Sequence, residues 1–299
     1  MGSFINPFTD FGFKKIFGQP KDRIILIGFL NALLQDTVFN DVIVDISYED
    51  KEMLGDDQTE RTIISDIHCT TEDGRNILLE MQLSPHANFT HRMLYYASRA
   101  IVGQARKGDW DFKLDAVYMV SIANFMIDDT DQRIRIDRGI CDIETGKPVN
   151  DLLRFIYIQL PAFRKTTPED CENDFEKWIY TLKNLQEMKT IPFAPRDNAF
   201  LRLQEVASEA ALSPEERKRY ERDQKQYWII TNIERSRYNE GMAKGEAIGI
   251  AKGEAIGIAK GEDKVWKEIV LSMRSNGMDD HTIAKITGKS PEWIKTISL

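Results

Sequence analysis

Asp66 and Glu80 are the residues whose types and spacing could do chemistry. They lie almost symmetrically about Asp73-Gly74, a dipeptide that favours a tight hairpin turn between two strands. Residues 61–70 and 76–83 flank that turn as candidate strands. Side chains alternate along a strand with period two, so Thr62, Ile64, Asp66 and His68 share one face, and Leu78, Glu80 and Gln82 share one face of the next strand. A hairpin register can set Asp66 beside Glu80; residue order alone leaves the register open. Asp66 stands between Ile64 and Ile67, and Glu80 sits in the run ILLEMQL. An acid in so apolar a strand needs a partner or a metal, because burying an unpaired charge is costly. The competing reading is a strand with acids on its solvent face.

Two carboxylates held close repel each other unless a positive charge sits between them. A hard divalent cation, Mg²⁺ or Mn²⁺, would serve, since it takes oxygen ligands and often only one or two carboxylates. The Met81 carbonyl could add an oxygen. Gln82, two residues beyond Glu80 and on its face, could orient an attacking water but brings no positive charge. Such a centre suits hydrolysis of a phosphodiester.

Residues 86–107 read as one long helix without an acidic side chain. Arg92, Arg99 and Arg106 recur every seven residues and fall on one stripe, flanked by Tyr95 and Tyr96. Leu94, Ala97, Ile101 and Ala105 lie opposite and are expected to pack on the sheet. The stripe reads either as a phosphate-contacting face or as an ordinary solvated one.

Other elements must position these residues. Residues 10–17 and 21–35 read as helices, 42–48 as an alternating strand, 114–123 as a buried strand, 133–137 as an edge strand and 153–160 as a further strand. Beyond Pro161 the pattern turns helical over 175–185, 199–211 and 214–238, the last opened by Ser213-Pro214-Glu215-Glu216, an N-cap with proline at the first helical position. This order predicts a mixed α/β core with a helical C-terminal extension. Residues 241–264 repeat with period eight as GMAKGEAI, GIAKGEAI, GIAKGEDK, placing glycine at every fourth residue. The repeat reads either as a close helix–helix contact, for instance between subunits, or as a flexible tether. After it, amphipathic residues 264–275, a turn at Thr287-Gly288 and a start at Ser290-Pro291 give a small helical unit compatible with a helix-turn-helix.

The chain of 299 residues is 42% hydrophobic and 29% charged, as expected for a globular protein. No apolar run is long enough for a membrane span, no export signal opens the sequence, and the three cysteines lack metal-ligand spacing. A reducing cytoplasm is therefore the expected setting, with no membrane partner. The net charge of −8 disfavours a protein that coats nucleic acid, yet allows a local basic patch.

The segments INPFTDFGFKKIFG (5–18), SDIHC (65–69), LLEMQ (78–82) and RMLYYASR (92–99) resemble the Rpn family of recombination-promoting nucleases and transposases, within the PD-(D/E)XK nuclease superfamily. The resemblance covers roughly the first two-thirds of the chain. It implies a restriction-endonuclease-like core, a mixed central sheet flanked by helices, in residues 1–165. Residues 166–240 would then form a helical region, 241–264 the repeat and 265–299 the small terminal unit. It also implies a Mg²⁺- or Mn²⁺-dependent DNA endonuclease linked to recombination or transposition, with Asp66, Glu80 and the Met81 carbonyl as metal ligands. Gln82 would stand at the usual lysine position, and DNA would meet Arg92, Tyr95, Arg99 and Arg106. Asp10 and Lys14, in the DFGFKK segment, would approach the site as accessory residues, unless Asp10 instead caps its helix. Double-strand cutting by a single-site nuclease implies a homodimer. The departure at Gln82 keeps a second expectation open, a DNA-binding or assembly protein of weak or no activity that retains the fold. If lysine is simply missing, Gln82→Lys should keep or raise activity.

Overall fold

The computed structural model describes residues 4–34, 42–49, 67–85, 88–105, 108 and 110–297. Its central feature is a six-stranded sheet built from β1 (Ile46–Tyr48), β2 (Ile67–Thr71), β3 (Asn76–Gln82), β4 (Val117–Ala123), β5 (Arg135–Gly139) and β6 (Leu153–Gln159). The strand order is β1-β2-β3-β4-β6-β5. β3, β4 and β6 run parallel to one another, while β1, β2 and β5 pair antiparallel at the two flanks. β4, VYMVSIA, is buried at every position, as a central parallel strand covered on both faces must be.

Period-two alternation divides the strands between two cores. Ile67, Cys69, Ile77, Leu79, Tyr118, Val120, Ile122, Ile156 and Ile158 belong to the larger one, which they share with α1 (Asp10–Phe17), α2 (Ile24–Leu34), α4 (Asp174–Asn184) and α5 (Asn198–Val206). Trp178 lies at its centre, stacked on Phe200 at 4.4 Å between ring centroids and edge-on to Phe29 at 5.9 Å. Gly28 permits this packing, since a Cβ there would stand 2.6 Å from the Ala199 Cβ. Leu78, Val117, Met119, Ile136 and Tyr157 face the opposite core, covered by α3 (Phe89–Val102) through Phe89, Met93, Ala97 and Ala100.

Several boundaries differ from the sequence reading. The strand expected over 42–48 begins only at Ile46, because its first backbone groups are claimed by side chains. Asn31 bonds both the N–H and the carbonyl of Ile43, at 2.8 and 2.9 Å, and the Glu72 carboxylate accepts from Val44 N at 2.7 Å and Asp45 N at 3.2 Å. The helix expected to reach 107 ends at Val102, where Gly103 N–H bonds the Arg99 carbonyl. Just beyond, Gln104 bonds the Asp115 backbone twice, donating to its carbonyl at 3.0 Å and accepting from its N–H at 2.8 Å, which turns the chain toward β4. Leu94, expected on the packed face, is 50% exposed and Met93 takes its place, beside Ala97, which is buried there as expected.

The chain divides into two compact units, Met1–Asn232 and Ile233–Leu299, and the division falls within α6 (Pro214–Ser275). α6 overruns the end expected at residue 238 because the octad repeat is itself helical. Alanine, lysine, glutamate and isoleucine separate its glycines, and the first three are strong helix formers. In the second unit Val270 packs with Ile283 of α7 (Asp280–Thr287) and Ile294 of α8 (Pro291–Lys295). Asp279 caps α7 by accepting from Thr282 N at 2.9 Å, and Gly288, at φ 67°, makes the left-handed turn between α7 and α8. Among the described residues no helix is long and apolar enough to cross a membrane.

Candidate active site

β3 is apolar enough to be drawn into the sheet, and its alternation fixes where its polar residues point. Ile77, Leu79 and Met81 pack with the larger core, and Leu78 with the core under α3. Glu80 and Gln82 follow the parity of Leu78. Glu80 is only 7% exposed, and its Cα partner across the parallel ladder is the fully buried Ser121. A carboxylate in so dry a position requires compensation. It is found on α3: Arg92 Nη2 donates to Glu80 Oε1 at 3.0 Å and also to Gln82 Oε1. Gln82 Nε2 donates in turn to the Ser84 carbonyl at 3.2 Å, so its amide oxygen is the end turned to Arg92.

The Arg92 guanidinium is itself braced. Its Cζ lies 5.9 Å from the ring centroids of both Phe89 and Tyr96, three residues before and four residues after it on the helix. Phe89 is anchored in turn against Phe125 at 5.5 Å and Tyr157 at 6.2 Å. Two cation–π contacts add to the hydrogen bonds in fixing a charge that would otherwise sweep a wide arc.

Across the antiparallel β2–β3 ladder, Ile67 pairs with Leu79 and His68 with Leu78. Glu80 directly follows Leu79 in the chain, and Asp66 directly precedes Ile67; Asp66, with Thr62 and Ile64, lies outside the described residues. Among the described residues no group of three or more His, Cys, Asp and Glu side chains could hold a metal ion. The donors that are described beside Arg92, the Glu80 carboxylate and the Gln82 amide oxygen, are hard oxygens, the chemistry that Mg²⁺ and Mn²⁺ favour over softer metals.

The remaining expected site residues are dispersed. Tyr95 is 52% exposed, with its ring 6.5 Å from that of Tyr96. Arg99 is half-buried one helical stretch beyond Arg92. Arg106 falls past the end of α3 and outside the described residues. Arg92 and Arg99 therefore border the packed face of the helix rather than opposing it, and Arg92 is turned to β3.

The DFGFKK segment has a different arrangement from the one its polar residues suggest. Asp10 is not the cap of α1: Thr9 is, with Oγ1 accepting from Gly12 N at 3.0 Å. Asp10 forms an ion pair with Lys14 one turn on, partly open to solvent. The segment is tied to α6 by Asn6 N–H donating to Tyr220 Oη at 2.8 Å and Phe11 N–H donating to Asp223 Oδ2 at 3.1 Å. Asp223 thus satisfies a free N–H in the first turn of α1 from more than two hundred positions away, a pairing that no local sequence signal announces.

A mixed sheet whose central strand carries an acid-x-amide sequence beneath an arginine-bearing helix defines an α/β core of the PD-(D/E)XK nuclease type. Residues 7–233 match the profile described as PD-(D/E)XK nuclease family transposase, and the chain belongs to that family. No curated protein and no solved structure matches it.

Proposed function

We propose that the protein is a Mg²⁺- or Mn²⁺-dependent DNA endonuclease that hydrolyses phosphodiester bonds in recombination or transposition. The observation that carries this reading is the buried Glu80 carboxylate, on the same face of β3 as Gln82, in a chain of a nuclease family. A carboxylate in that position is costly to a protein that only folds around it, and is useful to one that binds a cation there. Asp66 and Glu80, with the Met81 carbonyl, would hold the ion. When bound, a divalent cation supplies charge neutralisation at the scissile phosphate and a more acidic water. Gln82 would orient that water by hydrogen bonding. Tyr95, Arg99 and Arg106, along and beyond the helix that carries Arg92, would contact the DNA backbone, and Arg92 would face the scissile region. The net charge of −8 is compatible with an enzyme that must release its product, since affinity confined to one face is enough.

A supercoiled-plasmid assay tests the reading. The wild type should nick DNA with Mg²⁺ or Mn²⁺ and not with EDTA, whereas Asp66→Ala and Glu80→Ala should lose at least about a hundredfold of the rate. Variants that cut as fast as the wild type would place the chemistry elsewhere. DNA binding without cleavage under any divalent ion would favour a binding or assembly role instead.

A further inference from the structure

We propose that Arg92 supplies the cation that β3 lacks at Gln82, and that it does so as a positioning residue shared between Glu80 and Gln82. The inference rests on the nuclease reading for its meaning, and on three structural observations for its content. One guanidinium nitrogen serves both side chains, at 3.0 Å from Glu80 Oε1 and in hydrogen-bond contact with Gln82 Oε1. Gln82 accepts with its oxygen while its nitrogen is committed to Ser84, an orientation that satisfies both contacts. The aromatic rings of Phe89 and Tyr96 each lie 5.9 Å from the guanidinium carbon and help to hold it in place.

A lysine at position 82 would carry its charge from the strand itself. Here the charge arrives from the neighbouring helix, and the strand contributes a neutral acceptor that receives it. Glutamine suits that task, because its oxygen accepts while a lysine ammonium could only repel the guanidinium. Two consequences follow for Glu80. Its carboxylate is aimed by Arg92 before any ion arrives. A divalent cation approaching Glu80 meets the arginine charge, so the same contact that prepares the ligand weakens ion binding.

The test uses Arg92→Met, which keeps an unbranched stem between Phe89 and Tyr96, Arg92→Gln, which keeps hydrogen bonding without charge, and the double variant Arg92→Met/Gln82→Lys. Mn²⁺ binding is titrated by electron paramagnetic resonance on the full chain without DNA, and plasmid nicking is measured separately. Both single variants should bind Mn²⁺ several-fold more tightly, up to about tenfold, because a positive charge has left the neighbourhood of Glu80. Both should nick on the order of a hundredfold more slowly. Moving the charge to the strand in the double variant should return Mn²⁺ affinity toward the wild-type value and recover about tenfold or more of the lost rate. A merely structural arginine would not be rescued by a lysine at position 82. Unchanged or weaker Mn²⁺ binding in both single variants, with native circular dichroism, would overturn the inference, as would a double variant no better than Arg92→Met. If the wild type does not nick DNA but the Mn²⁺ affinities shift as stated, the assignment of Arg92 stands and the nuclease reading fails. If the wild type nicks and the affinities do not shift, the reverse holds.

Discussion

Arg92 Nη2 stands 3.0 Å from Glu80 Oε1 and joins the helix over the sheet to the acid at its centre. That contact changes what a substitution at the neighbouring glutamine should do. Read from the sequence, Gln82→Lys restores a missing lysine and keeps or raises activity. In the structure it removes the acceptor of a guanidinium hydrogen bond and sets a second cation against the first. In the otherwise wild-type chain, Gln82→Lys should therefore cut the nicking rate by about tenfold. A rate equal to or above the wild type would mean that Arg92 leaves the strand in the working enzyme.

The DFGFKK segment should separate into structural and dispensable positions. A Cβ at Gly12 would overlap the Asn6 carbonyl oxygen and stand 2.8 Å from Thr9 Oγ1, the atom that caps α1. Neither neighbour is the far end of a flexible side chain. Gly12→Ala should cost about 1–3 kcal/mol in urea denaturation, as overpacking does. Asp10→Ala, at an exposed ion pair, should change stability by less than about 0.5 kcal/mol. Loss of cleavage in Asp10→Ala without loss of stability would give Asp10 the accessory role its position in the segment suggests.

What the sequence discloses here is mostly what the backbone period dictates. Alternation in NILLEMQ and the apolar run VYMVSIA identify β3 and β4, and the shared parity of Leu78, Glu80 and Gln82 is legible from spacing alone. The resemblance carried by LLEMQ and RMLYYASR points to the family that residues 7–233 match. Tertiary hydrogen bonds account for the misplaced boundaries: the Glu72 carboxylate takes the N–H groups of Val44 and Asp45, and Gln104 takes both backbone groups of Asp115. The direction of Arg92 was also beyond reach. A seven-residue spacing places arginines on one stripe, but the angle of that stripe to the sheet depends on Met93, rather than Leu94, being the residue that packs. Asp223 as a partner of α1 depends on where α6 begins in space.

Burial holds His68 below its ordinary pKa of 6.5, with a bond to Asn76 opposing only part of the shift. The folded protein therefore favours neutral His68, while the unfolded chain takes up its proton near the ordinary value. Stability should fall as pH drops below about 6.5 and level off once the folded-state pKa is passed. His68→Gln should flatten this part of the curve, measured as Tm between pH 7 and pH 5. Parallel wild-type and variant curves would show that His68 is not the group responsible.

The octad repeat offers a direct comparison of its two readings. A Cβ at Gly245 or Gly253 would meet nothing within 4 Å. If α6 is solitary there, Gly245→Ala and Gly253→Ala should each stabilise the helix by about 0.8–1 kcal/mol and raise its circular dichroism at 222 nm. If the glycines instead serve close contact between two copies of the chain, the same variants should lower the sedimentation coefficient and the helicity together.

Anomalous diffraction from crystals grown with Mn²⁺ tests the proposed metal centre most directly. A single strong peak is expected within roughly 2.0–2.6 Å of a Glu80 carboxylate oxygen and of an Asp66 oxygen. A peak bound elsewhere in a preparation that cleaves DNA, or Glu80 still closed on Arg92 with the ion on other ligands, would contradict it.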